Sequence, residues 1–171
     1  MRAAFPAVLA ALVVAALAPV PATAGPEPAP LSAAAAWTAP LPGELVVTRP
    51  FEAPAHAYGP GHRGADLGGA AGTPVLAAGD GVVVFAGMVA GRPVVSIDHA
   101  DGLRTTYEPV DPAVGAGQRV ARGSPIGVLV TGHAGCPVAA CLHWGLRRGG
   151  EYLDPLLLLV VRVRLLPLRP T

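Results

Sequence analysis

The sequence contains no lysine and no asparagine, so all twelve of its basic residues are arginines. Eleven acidic residues balance them and leave a formal net charge of +1. A chain this close to neutrality has no general electrostatic attraction for nucleic acid or for an acidic partner. We therefore expect no nucleic-acid partner.

Long hydrophobic runs are scarce, and one of them stands at the N-terminus. Residues 3–20 are apolar apart from prolines, Arg2 precedes them, and Ala22-Thr-Ala24 has the small-x-small pattern of a cleavage site. This predicts a signal peptide over residues 1–24 and a protein that is secreted to the extracellular side of the cell envelope. A membrane anchor is the alternative, but the run falls short of the ~20 residues that span a bilayer. No cysteine follows directly, which argues against a lipoprotein anchor.

The rest of the chain has no sustained helical apolar period. Residues 25–44 are rich in proline and alanine and predict a linker, and residues 45–159 have the size of one domain. Residues 160–171 form an apolar tail that carries Arg162 and Arg164. That tail is too short and too charged to cross a bilayer, so we expect no stable membrane span after signal cleavage.

Short strands separated by glycine and proline are the recurring pattern of the domain. They are expected at residues 73–77, 81–86, 93–98, 103–107, 125–131 and 140–146, with ordered structure beginning near Leu45. The turn at 99–102 makes the third and fourth of these strands a hairpin. Many short strands at close spacing predict a mainly β fold, an antiparallel barrel or sandwich.

Only two cysteines are present, Cys136 and Cys141. Export places them in an oxidising compartment, where a disulfide between them is expected. Alternation along a strand puts Cys141 on the same face as His143. A Cys141 thiolate that closes a structural zinc site is therefore the alternative.

His62, Asp66 and His143 are the candidate metal ligands. A histidine with a carboxylate four residues later, and a second histidine on a predicted strand, can surround one zinc ion. Three protein ligands leave a fourth position for water, which is typical of a catalytic zinc. The same ligands accept other divalent ions.

Several motifs surround these ligands in a fixed order. They are H-x-x-x-D at 62–66, G-T-P-V at 72–75, D-G-V-V at 80–83, H-x-D-G at 99–102 with Tyr107, G-x-x-V-x-x-G-x-x-I-G at 117–127, Cys141-Leu-His143 and Asp154-Pro155. From about residue 49 to 155 the chain resembles the lysostaphin/LytM-type zinc metallopeptidases. The resemblance implies a LytM-like, duplicated-hybrid-motif β fold with zinc on His62, Asp66 and His143. It also implies hydrolysis of peptide bonds in cell-wall peptidoglycan by zinc-bound water.

The sequence departs from that family at two catalytic positions. Cys141 replaces the first histidine of H-x-H, and Pro109 replaces the histidine of Y-x-H. Glu108 and His133 are the candidate substitutes, although strand alternation can turn Glu108 away and His133 can be a surface loop residue. The alternative function is a non-catalytic metal-binding wall module that binds peptidoglycan or regulates other wall hydrolases.

Other residues near these motifs have simpler expected roles. Trp144 is expected in the core, because it faces away from His143. The glycines at 64, 68 and 69 are expected to serve turns. Arg147 and Arg148 are expected to form a solvated strand end, and the sequence assigns no role to Arg104 or Thr106.

Overall fold

The computed structural model describes residues 36–56 and 59–160 of the chain. The predicted signal peptide, residues 25–35 of the predicted linker and residues 161–171 of the tail lie outside this part, so these assignments remain predictions. Within the described part, no helix is long and apolar enough to span a membrane.

The described residues contain eleven strands and two short 3₁₀ helices. The strands are β1 (Val46–Arg49), β2 (Gly64–Gly69), β3 (Pro74–Leu76), β4 (Gly81–Val89), β5 (Arg92–Asp98), β6 (Leu103–Glu108), β7 (Val110–Pro112), β8 (Arg119–Val120), β9 (Pro125–Leu129), β10 (Ala140–Arg148) and β11 (Glu151–Leu153). The 3₁₀ helices are Ala100–Gly102 and Pro155–Leu159. The predicted hairpin is confirmed as β5 and β6, which pair antiparallel across the first of these helices.

The strands form two antiparallel sheets. The larger sheet has the order β1-β2-β10-β6-β5-β4-β8, and β11 pairs with the C-terminal part of β10. The smaller sheet has the order β3-β9-β7. The predicted antiparallel β fold is confirmed, and neither sheet closes into a barrel within the described residues.

One hydrophobic cluster joins the two sheets. Its fully buried members include Leu67, Tyr107 and Trp144 from the larger sheet and Val75 and Ile126 from the smaller one. Trp144 therefore lies in the core, as predicted. Burial of these apolar side chains is the main source of stability for a domain with so little helix.

Strand β10 has an apolar face and a polar face. Leu142 and Trp144 have no exposed surface, whereas His143 and Arg147 point to the opposite side and line an open groove. This follows from the two-residue period of a strand. The core therefore fixes which side chains of β10 face the groove.

The prediction that the glycines at 64, 68 and 69 serve turns is wrong, because all three lie in β2. Strand β2 runs between β1 and β10, where side chains from both neighbours come close. A Cβ atom at Gly64 would lie 2.5 Å from the Trp144 carbonyl oxygen and 2.7 Å from Nε2 of His143. Glycine is needed here for close approach rather than for a turn.

Residues 37–41, which belong to the stretch predicted as a linker, pack against the domain. The Thr38 amide donates a hydrogen bond to the Ala78 carbonyl at 2.8 Å, and the Leu76 amide donates to the Pro40 carbonyl at 2.8 Å. Leu41 is only 6% exposed and belongs to the core cluster. The packed part of the chain thus begins before β1.

Candidate metal centre and the adjoining groove

Three side chains from neighbouring backbone segments meet at one end of the groove. Asp66 on β2 lies directly opposite His143 on β10. His62 precedes β2, and its backbone forms an isolated bridge with Glu52 through hydrogen bonds of 2.8 and 3.0 Å. The sheet register and this bridge bring the three predicted ligands together.

The polar atoms of these residues converge on one point. Nε2 of His62 lies 3.0 Å from Oδ1 of Asp66 and 3.1 Å from Nδ1 of His143. Nδ1 of His143 lies 2.8 Å from the same Asp66 oxygen. One ligand atom from each residue falls within 4.8 Å of the others, a spacing that can hold a metal ion.

The donor set matches a divalent cation. Nδ1 of His62 donates to the Pro50 carbonyl oxygen at 2.6 Å, because a carbonyl can only accept. A neutral His62 ring therefore presents an unprotonated Nε2 to the centre. Zinc can bind all three ligand atoms at once: Nε2 of His62, the Asp66 oxygen and the His143 nitrogen. A single shared proton could form hydrogen bonds with only some of these atoms.

Asp66 is held in its ionised form. Burial by itself raises the pKa of this carboxyl, but the hydrogen bond from His143 and the electrostatic interactions with His133 and His62 outweigh it. Together they lower the pKa of Asp66 to about 2. The carboxylate is thus ready to bind a cation at neutral pH.

His133 also lies at the centre. Its Nε2 is 3.0 Å from Oδ2 of Asp66, the oxygen that does not contact His62, and its ring stacks on His143 at 5.7 Å between centroids. The side chain is 16% exposed, so His133 is not a surface loop residue. An ionised Asp66 only accepts, so Nε2 of His133 carries a proton in this arrangement.

The predicted disulfide is confirmed between Cys136 and Cys141. It removes the thiolate that a fourth cysteine ligand would require, so the alternative of a zinc site closed by Cys141 is wrong. The bridge also ties the loop between β9 and β10, which carries His133, to the first residues of β10. Sγ of Cys141 lies 3.6 Å from the Thr48 hydroxyl.

Glu108 faces the same side of the sheet as His143, and not away from it. The two residues are direct partners in the register of β6 and β10, and Tyr107 and Trp144 form the next pair on the core side. Oε1 of Glu108 forms an ion pair with Nε of Arg92 at 2.7 Å. Its side chain is 17% exposed and lines the groove.

The groove beside the centre has a volume of about 720 Å³. His143 and Glu108 stand at one end of its floor, and Arg104 and Arg147 lie further along the same strands. The sequence alone did not identify this groove, because its floor joins the β5–β6 hairpin to β10, which lies far from that hairpin in the chain. The sequence did hold one signal of the groove: Arg104 and Arg147 fall on the same faces of their strands as Glu108 and His143.

A two-sheet β domain with two imidazoles and a carboxylate at the end of an open groove has the arrangement of a metallopeptidase. The family model for peptidase family M23 matches residues 60–155. The chain belongs to peptidase family M23, which confirms the predicted relationship to the lysostaphin/LytM-type enzymes.

The chain is also similar to individual proteins. The chain is 52% identical over 134 residues to uncharacterized protein Rv2891 of Mycobacterium tuberculosis, covering 75% of this chain and 54% of that protein. It is 35% identical over 95 residues to the DD-carboxypeptidase/endopeptidase Mpg of Neisseria meningitidis, covering 55% and 22%. A zinc containing peptidase from Vibrio cholerae has a similar structure, with a TM-score of 0.56, 26% identity and coverage of 69% and 38%. The chain therefore spans about half the length of the first of these proteins and less of the others.

Proposed function

We propose that the protein is an exported zinc metalloendopeptidase that hydrolyses peptide bonds in cell-wall peptidoglycan. The convergence of His62, Asp66 and His143 at the end of the groove carries this proposal. Membership of peptidase family M23 and similarity to a DD-carboxypeptidase/endopeptidase support the reaction and the substrate class.

His62, Asp66 and His143 would bind the zinc through Nε2, Oδ1 and Nδ1. Zinc, when bound, lowers the pKa of its water to about 7 and polarises the peptide carbonyl. The Pro50 carbonyl orients His62 through its Nδ1, and Gly64 leaves room for the His143 ring. These contacts hold the ligands in place before the metal arrives.

We assign the two remaining roles to Glu108 and His133. Arg92 occupies Oε1 of Glu108 and leaves Oε2 to take a proton from the attacking water. Glu108 would then return that proton to the departing amine, and His133, whose Nε2–H is taken by Asp66, would as an imidazolium donate from Nδ1–H to the oxygen that gains negative charge. Asp66 orients the His133 ring through Oδ2. The two residues would thereby replace the histidines that Cys141 and Pro109 displace.

Digestion of purified peptidoglycan by the zinc-loaded full-length chain tests the proposal, with mass spectrometry of the released fragments. We expect new amine ends that disappear in His62→Ala. Glu108→Gln and His133→Ala should retain zinc and lose about 10²-fold or more in rate, the usual size of a general acid or base contribution.

Matched control variants distinguish loss of these catalytic roles from a non-specific loss of activity. Glu151→Gln removes an exposed carboxylate and His56→Ala removes an exposed loop histidine, and both should keep the full rate. Full activity of Glu108→Gln and His133→Ala would overturn the two assigned roles and leave the hydrolase standing. Absence of new amine ends with the folded, zinc-loaded wild type would overturn the hydrolase.

The second candidate function is a non-catalytic metal-binding module that binds peptidoglycan or regulates other wall hydrolases. The replacement of the two accessory histidines by Cys141 and Pro109 favours it. Sedimentation with insoluble peptidoglycan in the presence of zinc, without release of fragments, is the result expected of such a module. Hydrolysis that depends on His62 would rule it out.

A further inference from the structure

The far end of the groove carries two arginines that the proposed reaction does not use. Arg147 lies on β10 four residues after His143, and its cross-strand partner on β6 is Arg104. Both side chains line the groove. At a rise of ~3.3 Å per residue, Arg147 stands about 13 Å along the strand from His143.

Between His143 and Arg147, the floor of the groove carries only small side chains. Gly145, Thr106 and Ser96 form the middle row, because Thr106 pairs with Gly145 on one side and with Ser96 on the other. One of the three residues has no side chain and the other two have short polar ones. A peptide backbone can therefore lie close to the sheet between the metal centre and the arginines.

The two arginines differ in their partners. Arg104 holds Asp98 with two hydrogen bonds, from Nε to Oδ1 and from Nη2 to Oδ2, the latter at 2.8 Å. Hydrogen bonding to Arg104 lowers the pKa of Asp98, and Arg147 lies close enough to Asp98 for its charge to add to this effect. Arg104 holds both Asp98 oxygens, however, and the Arg147 guanidinium forms no hydrogen bond within the described residues. Its guanidinium is therefore available for a ligand carboxylate, which it can bind through two parallel hydrogen bonds.

The rest of the groove favours an anionic peptide. Four arginines line it, at positions 63, 92, 104 and 147, and the carboxylates beside them are Glu108 and Asp98. Phe85 on β4 and Tyr152 on β11 also line the groove, so apolar rings flank the small residues of the floor. Net positive charge between apolar walls attracts a ligand that is negatively charged and carries apolar side chains.

We propose that Arg147 anchors a carboxylate-binding subsite for an extended peptide whose cleaved bond lies at the metal centre. The subsite rests on the proposed function, since that function places the cleaved bond beside His143. A distance of about 13 Å corresponds to about four residues of extended chain. The recognised group is a free carboxylate, on a side chain or at the chain end, three to four residues from the cleaved bond.

Paired peptides that differ only in charge test the subsite. The probes are alanine hexapeptides, acetylated and amidated so that neither end is charged, in which one position at a time is glutamate or the isosteric glutamine. Binding to the full-length chain without metal is measured by NMR titration, and cleavage by the zinc-loaded chain is measured as kcat/KM. We expect one position at which glutamate binds about threefold to tenfold more tightly than glutamine, in keeping with a charge-assisted pair.

Two substitutions on β10 distinguish binding at the subsite from a non-specific effect of the protein's positive charge. Arg147→Gln should reduce that ratio to about one and keep the melting temperature. Arg148→Gln removes the same charge from the neighbouring exposed position on the other face of β10 and should keep the ratio. Equal binding of all pairs, an unchanged ratio in Arg147→Gln or an equal loss in Arg148→Gln would each overturn the subsite.

The two measurements also separate the subsite from the reaction. Hydrolysis without any preference for glutamate would overturn the subsite and leave the hydrolase standing. A binding ratio that depends on Arg147, together with no release of fragments from peptidoglycan, would support the subsite and overturn the hydrolase.

Discussion

At the scale of the residue, Gly64 allows β2 to lie close to β10 beside the candidate metal centre. The space that its side chain would occupy is taken by the His143 ring and by the Trp144 carbonyl. The position of the predicted ligand His143 therefore depends on a residue that is not itself a predicted ligand. The sequence places Gly64 two residues after His62, but it does not show that β10 lies directly beside it.

We predict that Gly64→Ala moves the His143 ring and weakens zinc binding by about ten- to a hundredfold, the usual cost of disturbing the support of a metal ligand. Competition with a chromophoric chelator measures the affinity. Gly145→Ala is the matched control, because a Cβ atom there meets nothing closer than 3.6 Å. Wild-type zinc affinity in Gly64→Ala would show that the ring can shift without cost.

The candidate site was predictable from sequence to different extents at different residues. His62, Asp66 and His143 were predictable because their motifs fix the ligand types. The orientation of Glu108 follows from strand alternation only once Tyr107 is known to face the core. The position of His133 was not predictable, since it depends on how a long loop folds back over the sheet.

At the scale of the element, the loop between β9 and β10 gains its position from the Cys136–Cys141 bridge. The bridge closes a short loop of the chain, with a sequence separation of five residues. His133 lies three residues before Cys136, and its carbonyl accepts the Cys136 amide at 3.4 Å. The disulfide thus acts on the site through the backbone of this loop rather than as a ligand.

We predict that replacing both cysteines by serine lowers the free energy of unfolding by about 2 kcal/mol, the entropic effect of so short a closed loop. Chemical denaturation measures this loss. Hydrogen exchange should become faster at the loop amides and remain unchanged in β6 and at the centre of β10. Unchanged exchange in the loop would mean that the contacts of His133, and not the bridge, hold it in place.

Six of the eleven strands were predicted, and glycine content explains why β2 was not among them. The predicted strands are rich in valine, isoleucine and leucine, and β3, β4, β5, β6, β9 and β10 lie at the expected places. Strand β2 reads Gly-Ala-Asp-Leu-Gly-Gly, a composition typical of a turn. Its pairing with β1 and β10 overrides that local preference, and this pairing is a tertiary property.

At the scale of the whole molecule, the segment before β1 completes the core. Trp37 packs edge-on against His99 with ring centroids 4.8 Å apart, and Leu41 enters the hydrophobic cluster. The proline and alanine content of this stretch predicted a linker, because it has neither a strand nor a helix period. Packing here depends on a few large side chains, which composition does not reveal.

We predict that Leu41→Ala destabilises the protein by about 2–4 kcal/mol, since it leaves a cavity at a buried position. Leu157→Ala is the matched control, because Leu157 is 68% exposed and its truncation should cost less than about 0.5 kcal/mol. Thermal and urea denaturation of both variants measure the difference. Equal stabilities would show that residues 37–41 contribute nothing to folding.

The two faces of β10 constrain how this chain can change during evolution. Trp144 and Leu142 belong to the core, and His143 and Arg147 belong to the groove, at strictly alternating positions. A single inserted or deleted residue inside the strand would exchange the faces, turning Trp144 towards the groove and His143 towards the core. Point substitutions leave this alternation intact. Homologous chains can therefore differ in the length of the loops that flank β10. Insertions and deletions within β10 itself are expected to be selected against.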